Sequence, residues 1–185
     1  MSGDIFVKKT NMDSTHLHLI LNHFPIIGTL LGAGVMAYGI FSRSESTKNA
    51  ALWMWFFMAL AAIPVFLTGE PAEESVEGIA GVSENLIEQH EEAAEIALWA
   101  MEALGLFSLI LAIIRLRKAD TAKAGVYLAF ALSLVTFALM ARTGYLGGQI
   151  RHSEIRSGIA ASNPNNENEG GGEQGEGNEG EDDDD

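Results

Sequence analysis

The sequence predicts an all-α fold, an integral membrane four-helix bundle followed by a disordered acidic C-terminal tail. Four windows of 18 or 19 residues are almost purely apolar, and only the third contains a charged residue, Glu102. A helix of about 20 residues crosses the ~30 Å of hydrocarbon in a bilayer. The helices of a soluble bundle would carry polar stripes, which these windows largely lack. The windows are Phe24–Phe41, Ala50–Thr68, Ile96–Ile114 and Ala124–Ala141.

The charge distribution separates the membrane domain from the tail. The formal net charge is −14, but ten acidic residues and no Lys or Arg follow Ser157. A segment of Gly, Asn, Glu and Asp cannot bury enough apolar surface to fold, so residues 157–185 are predicted to be disordered. We expect a polar segment at 1–15 and a transmembrane domain at 16–156. Its spans are predicted at about 17–41, 50–68, 90–114 and 124–148.

Prolines and glycines mark the first two spans. Pro25 lies near the start of the first helix, where proline costs least, and would kink a helix that begins before His16. Gly28 and Gly32 form a Gly-x-x-x-Gly step that allows close approach of a neighbouring helix. In the second helix, Trp53 and Trp55 are typical of a membrane-interface belt. Pro64 should bend this helix, and Gly69 and Pro71 should end it.

The third span carries acidic residues and the fourth ends in glycines. Glu88, Glu95 and Glu102 are seven apart and therefore share one helix face. Because lipid does not tolerate carboxylates, we expect this face to look into the bundle or at water, where it could form a proton path. Glu102 could instead satisfy only a local polar contact. The fourth helix could continue to about Arg156, which would put Gly144, Gly148 and His152 on one side.

Loop charges predict the orientation. Four spans place both termini and the 68–89 connection on one side of the membrane. The opposite turns carry six Lys and Arg, against five on the side of the termini. The positive-inside rule then places these turns in the cytoplasm and both termini outside. We expect a multi-pass protein of the bacterial inner membrane with termini on the periplasmic side. The acidic balance argues against a nucleic-acid surface.

All five histidines are predicted to lie near the membrane face that holds the termini. His16, His18 and His23 precede the first span, His90 precedes the third and His152 follows the fourth. Two of them on different helices could bind the iron of haem b axially. The pairs of His23 with His90 or His152 are the first candidates, with His18 as a further ligand candidate. Small residues that would leave room for the macrocycle are Gly28, Gly144 and Gly148.

Two other interpretations of the histidines stay open. In one, His90 and the carboxylates Glu70, Glu74 and Glu91 bind a divalent transition metal in a binding or transport protein. In the other, the histidines are interface or packing residues of a structural subunit, whose acidic tail docks a basic partner. The chain has no cysteine, which excludes disulfides, Cys-ligated clusters and c-type haem attachment. No nucleophile elbow or phosphate loop appears, so enzymatic turnover is not indicated.

The motifs at both ends of the membrane domain resemble an uncharacterised family of bacterial four-helix membrane proteins. Members open with His-Pro-x-x-x-His-Phe-Pro and close with Thr-Gly-Tyr-x-Gly-Gly, a basic residue and His. The opening here is His18–Pro25, with Leu19 in place of the proline, and the close is Thr143–His152. His90 also fits the pattern, whereas Glu70–Glu74 replaces an Asp-Trp ending. Some relatives look associated with electron-transfer modules. The resemblance therefore implies a redox or accessory membrane subunit, with redox partners, and favours haem over a bare metal.

Overall fold

The structure is a computed structural model that describes residues 12–76, 79, 81–117 and 123–151. The expected tail, Arg156 and His152 lie outside the described residues. Six helices are present in the described part of the chain: α1 Met12–Leu21, α2 His23–Phe41, α3 Glu45–Leu67, α4 Gly69–Glu74, α5 Glu84–Arg117 and α6 Lys123–Arg151.

The predicted fold class is confirmed. The four long segments are apolar enough to cross a membrane: Thr15–Phe41, Glu45–Glu74, Glu84–Leu116 and Lys123–Ile150. α3 packs between α2 and α5, and α6 closes the ring against α5 and, less extensively, α2. The fully buried core includes Met36, Leu52, Trp55, Met101 and Leu104. Large apolar side chains such as Leu31, Phe57, Leu106 and Val135 are exposed on the outside, as expected for a surface that contacts lipid.

The N-terminal span is broken into two helices at Asn22. α1 ends at Leu21 and α2 begins at His23, with the Asn22 amide donating to the His18 carbonyl at 2.9 Å. Pro25 explains the position of the break, because it has no N–H to donate to Leu21 and its ring crowds that carbonyl. The helix thus begins before His16, the case in which Pro25 was expected to distort it. The break lets α1 lie against α4, outside the ring of long helices.

The second helix differs from expectation at both ends. Trp55 is not an interface residue, because its side chain is fully buried and its indole Nε1 donates to the Thr29 carbonyl at 3.2 Å. Gly32 makes room for it, since a Cβ there would come within 2.5 Å of Trp55 Nε1. Gly69 and Pro71 do not stop the chain in a loop. After a turn at Thr68 they belong to the short helix α4.

The third helix is longer than an apolar window. α5 contains 34 residues, which at 1.5 Å per residue is about 50 Å, well beyond the ~30 Å of a bilayer core. Its excess lies at the N-terminal end, where His90 precedes the apolar window. α1, α4, the start of α5 and the end of α6 are thereby brought together at one membrane face.

Candidate functional site

A cavity of about 240 Å³ lies at the membrane face where α1 and α4 cover the ends of the long helices. All six helices contribute to its wall, and most of the wall is apolar. Its polar lining consists of imidazole, carboxylate, amide and hydroxyl groups. The lining residues are His18, Asn22, Pro25, Ile26, Ala62, Val65, Phe66, Leu67, Gly69, Glu70, Glu73, His90, Glu91, Ala94, Ala97, Leu98, Met140, Thr143 and Gly144.

His18 is held against the end of α3. Its Nδ1 lies 3.0 Å from the Val65 carbonyl oxygen and 3.3 Å from the Thr68 hydroxyl oxygen. A carbonyl oxygen can only accept, so Nδ1 carries the proton and donates. In the neutral imidazole, Nε2 then carries a lone pair. His18 is therefore fixed in the tautomer that can ligate a metal through Nε2.

His90 is held in the same way against α6. Its Nδ1 lies 3.0 Å from the Thr143 carbonyl oxygen, so this nitrogen also donates and leaves the Nε2 lone pair free of a proton. Gly147 is needed beside the ring, because a Cβ at that position would come within 3.0 Å of His90 Cε1. Metal-ligating histidines commonly donate their second ring N–H to a backbone carbonyl. The two imidazoles also lie close enough for their charges to interact.

Three carboxylates surround the polar end of the cavity. Glu73 on α4 is half-buried and lies within electrostatic range of Glu70 and Glu91. No Lys or Arg lines the cavity among the described residues. Asn22 adds a buried side-chain oxygen, Oδ1, for which the described structure offers no hydrogen-bond partner. Carboxylates, this amide oxygen and two Nε2 lone pairs are all acceptors, so the cavity favours a ligand that brings a donor or a positive charge.

The structure does not bring every predicted ligand to this cavity. His23 is exposed, and its Nδ1 contacts the Leu19 carbonyl of the preceding turn at 3.1 Å. The expected pairing of His23 with His90 is therefore wrong in this arrangement, and His18 takes that place. His152, the other expected partner, lies outside the described residues. Glu70, His90 and Glu91 share the cavity, whereas Glu74 is exposed and does not line it.

No preformed metal site is found in the described part of the chain. No group of three or more His, Asp or Glu side chains among those residues is arranged to hold a metal ion. A ligand set drawn from Glu70, Glu91 and His90 would need side-chain movement to close around an ion. A pair of axial imidazoles needs only two donors, and His18 and His90 supply them.

The expected proton-path residues lie apart from the cavity. Glu88 and Glu95 are exposed on the outer surface of α5, and Glu102 is partly exposed on the same helix. Glu102 Oε1 is buried and has no hydrogen-bond partner in the described structure. None of the three lines the cavity. The face that they share is the outer face of α5 instead of an inner one.

Three lining residues were not singled out from the sequence: Asn22, Glu73 and Thr143. Asn22 follows His18 by four residues, so both side chains lie on one face of the helical turn that they share. Glu73 follows Glu70 by three residues, and in a helix that spacing also gives a common face. Both signals depend on assigning helix to 12–22 and 69–74, which polar composition alone did not suggest.

Comparison with known proteins identifies a family. The family model described as "Predicted membrane protein (DUF2231)" matches residues 14–155, which include the whole bundle and every described residue of the cavity. Searches of curated proteins and of solved structures gave no significant match. The match covers well over half of the chain and fits the four apolar helices. The chain therefore belongs to the DUF2231 family of predicted membrane proteins.

Proposed function

We propose that this chain is an integral membrane protein that binds haem b through His18 and His90 and acts as a redox or accessory subunit. The observation that carries the proposal is the pair of imidazoles lining one cavity, each with Nδ1 donating to a main-chain carbonyl. This arrangement presents both Nε2 atoms as ligands in a fixed tautomer. Haem iron in membrane bundles takes axial histidines from facing helices.

Part of the cavity fits haem b and part opposes it. Small residues, Gly69, Ala62 and Ala94 among them, leave space in the wall, and the apolar lining suits a macrocycle. When bound, haem b would supply one-electron transfer, and the two histidines would ligate it. The carboxylates Glu70, Glu73 and Glu91 repel the propionates. The propionates must therefore leave the cavity away from that edge.

The test is the absorbance spectrum of the purified full-length protein with iron analysis on the same sample. We expect a Soret band that shifts on reduction. His18→Ala and His90→Ala should each abolish the band. His23→Ala is the matched control, because its ring contacts only its own helix turn in the described structure, and it should retain the haem. A folded protein with no Soret band and no iron, even with haem supplied during expression, would contradict the proposal.

A second candidate is a divalent transition-metal ion held by His18, His90 and a rim carboxylate. The acceptor-only polar lining favours it, because a cation would relieve the repulsion among the three carboxylates. Metal analysis without a Soret band would support this function. Glu73→Gln should then reduce the metal content, whereas Glu74→Gln should not, since Glu74 is exposed outside the cavity. A melting temperature unchanged by a chelator would count against bound metal.

As for setting, we propose the bacterial inner membrane, with the histidine cavity on the side of the termini and that side periplasmic. The support is the distribution of Lys and Arg between the two sets of loops. Redox partners would then approach the cavity from that side.

A further inference from the structure

The outer surfaces of α5 and α6 carry opposite charges at the same level in the membrane. Glu92 and Glu95 are exposed on α5, and Arg142 is exposed on α6. None of the three forms an ion pair within the described part of the chain, where both ion pairs involve Glu45. Charged groups at the outer surface of a membrane bundle are expensive unless they reach water or pair with protein.

The levels follow from contacts between the two antiparallel helices. His90 contacts the Thr143 carbonyl, and the Thr136 hydroxyl contacts the Ala100 carbonyl at 3.4 Å. Arg142 is therefore within one helical turn of the level of Glu92 and Glu95. By the same contacts, Ala138 is within one turn of the level of Trp99.

Size complements charge along these two surfaces. Trp99 is 67% exposed, a large area for the biggest side chain on α5. On α6, Ala131 and Ala138 are exposed and lie seven residues apart, so they leave a shallow strip on the outer face. Small residues of this kind let a neighbouring helix approach closely in a membrane. A large side chain on one helix thus stands level with a small one on the other.

We propose that a second copy of this chain covers this surface, with α5 of each protomer packed against α6 of its partner. A two-fold axis along the membrane normal keeps equivalent residues level, and it makes each contact twice. Arg142 then meets Glu92 or Glu95 across the interface, and Trp99 covers Ala138. The chain supplies both halves of the complementary surface, which favours a second copy over an unrelated partner.

Disulfide crosslinking in native membranes tests the geometry directly, because the chain has no cysteine of its own. One copy carries Trp99→Cys and a co-expressed copy with another tag carries Ala138→Cys. Mild oxidation should give a crosslinked dimer bearing both tags, since a disulfide requires Cβ atoms within about 4.5 Å. The control pairs Ala138→Cys with Ile63→Cys, which is 41% exposed on α3 and should not crosslink. Equal yields from both pairs would overturn the proposal.

Charge reversal tests the pairing. Arg142→Glu should weaken association by roughly tenfold, equivalent to ~1.4 kcal/mol, as measured by light scattering across a dilution series. The double variant Arg142→Glu with Glu95→Arg should restore it, which also shows that the single variant remains foldable. Arg43→Glu is the control, because it is exposed at the other end of the bundle. A monomer at every concentration, or crosslinks only to a different protein, would overturn the assignment of a second copy.

Discussion

At the scale of single residues, glycines decide which helices can touch. Gly105 on α5 faces α3, where a Cβ would overlap the Cβ of Ala59 and come within 3.5 Å of the Trp55 carbonyl. Neither neighbour has a flexible end that could move aside. Gly34 on α2 has nothing within 4 Å of the same position, so its missing side chain makes no contact. The sequence alone gives no way to separate these two glycines.

We therefore expect opposite effects from the same substitution. Gly105→Ala should lower the free energy of unfolding by about 1–3 kcal/mol, the usual cost of overpacking a close contact. Gly34→Ala should raise it by up to ~1 kcal/mol, because alanine favours the helical backbone. Thermal unfolding of the two variants in the same detergent measures both. A stable Gly105→Ala variant would mean that α3 and α5 are not in close contact.

The cavity histidines show a second limit at this scale. His18 and His23 both precede an apolar window, and both have Nδ1 near a main-chain carbonyl. The carbonyl for His18 belongs to Val65 on α3, whereas that for His23 belongs to Leu19 one turn before it. Only the long-range contact turns an imidazole toward another helix. The sequence correctly placed histidines at the start of the first span but favoured the wrong one for the pair with His90.

At the scale of elements, a buried arginine ties the start of α3 to the end of α5. Arg115 is 4% exposed, and its Nε donates to Asn49 Oδ1 at 2.8 Å while its terminal nitrogen pairs with Glu45. From the sequence, Arg115 was counted only among the basic residues that set orientation. Its guanidinium also holds two neighbouring spans together at the face opposite the cavity.

Removing this contact should destabilise the bundle more than removing a surface pair. Arg115→Gln should cost about 1–3 kcal/mol, because the Asn49 and Glu45 side chains lose a charged donor. Lys48→Gln is the matched control. Lys48 pairs with the same carboxylate of Glu45, but from one turn away on the same helix, and Glu45 is half exposed. That change should cost no more than ~0.5 kcal/mol. Chemical denaturation in detergent compares them, and equal losses would contradict a structural role for Arg115.

The element boundaries also show what local sequence determines. Pro25 carried the break between α1 and α2, because the loss of an N–H acts within one turn and needs no tertiary information. The short helix α4 could not be read in the same way. Its Gly-Glu-Pro-Ala-Glu-Glu sequence has no apolar period, and it is placed by packing against α1 through contacts that include Thr15 and Ser75 at 2.7 Å.

At the scale of the whole molecule, an even number of crossings puts the N-terminal helix, α4 and the start of α5 at one face. Cysteine labelling in intact cells and inverted vesicles should confirm this in the cysteine-free chain. His23→Cys and Glu84→Cys should react from the same side, and Ser46→Cys from the opposite side. All three positions are exposed in the structure. Reaction of residues 23 and 84 from different sides would leave no common face for the cavity.

The sequence by itself determined the number of crossings and the end of the bundle at which the histidines gather. Both depend on apolar length and on the order of segments along the chain, which are local properties. Only the tertiary structure decided that His18 pairs with His90, that Trp55 lies inside and that the acidic face of α5 points outward. Those outcomes depend on how each helix is rotated about its axis. Rotation is fixed by contacts between distant residues, since nearly continuous apolar windows carry little polar pattern to reveal it.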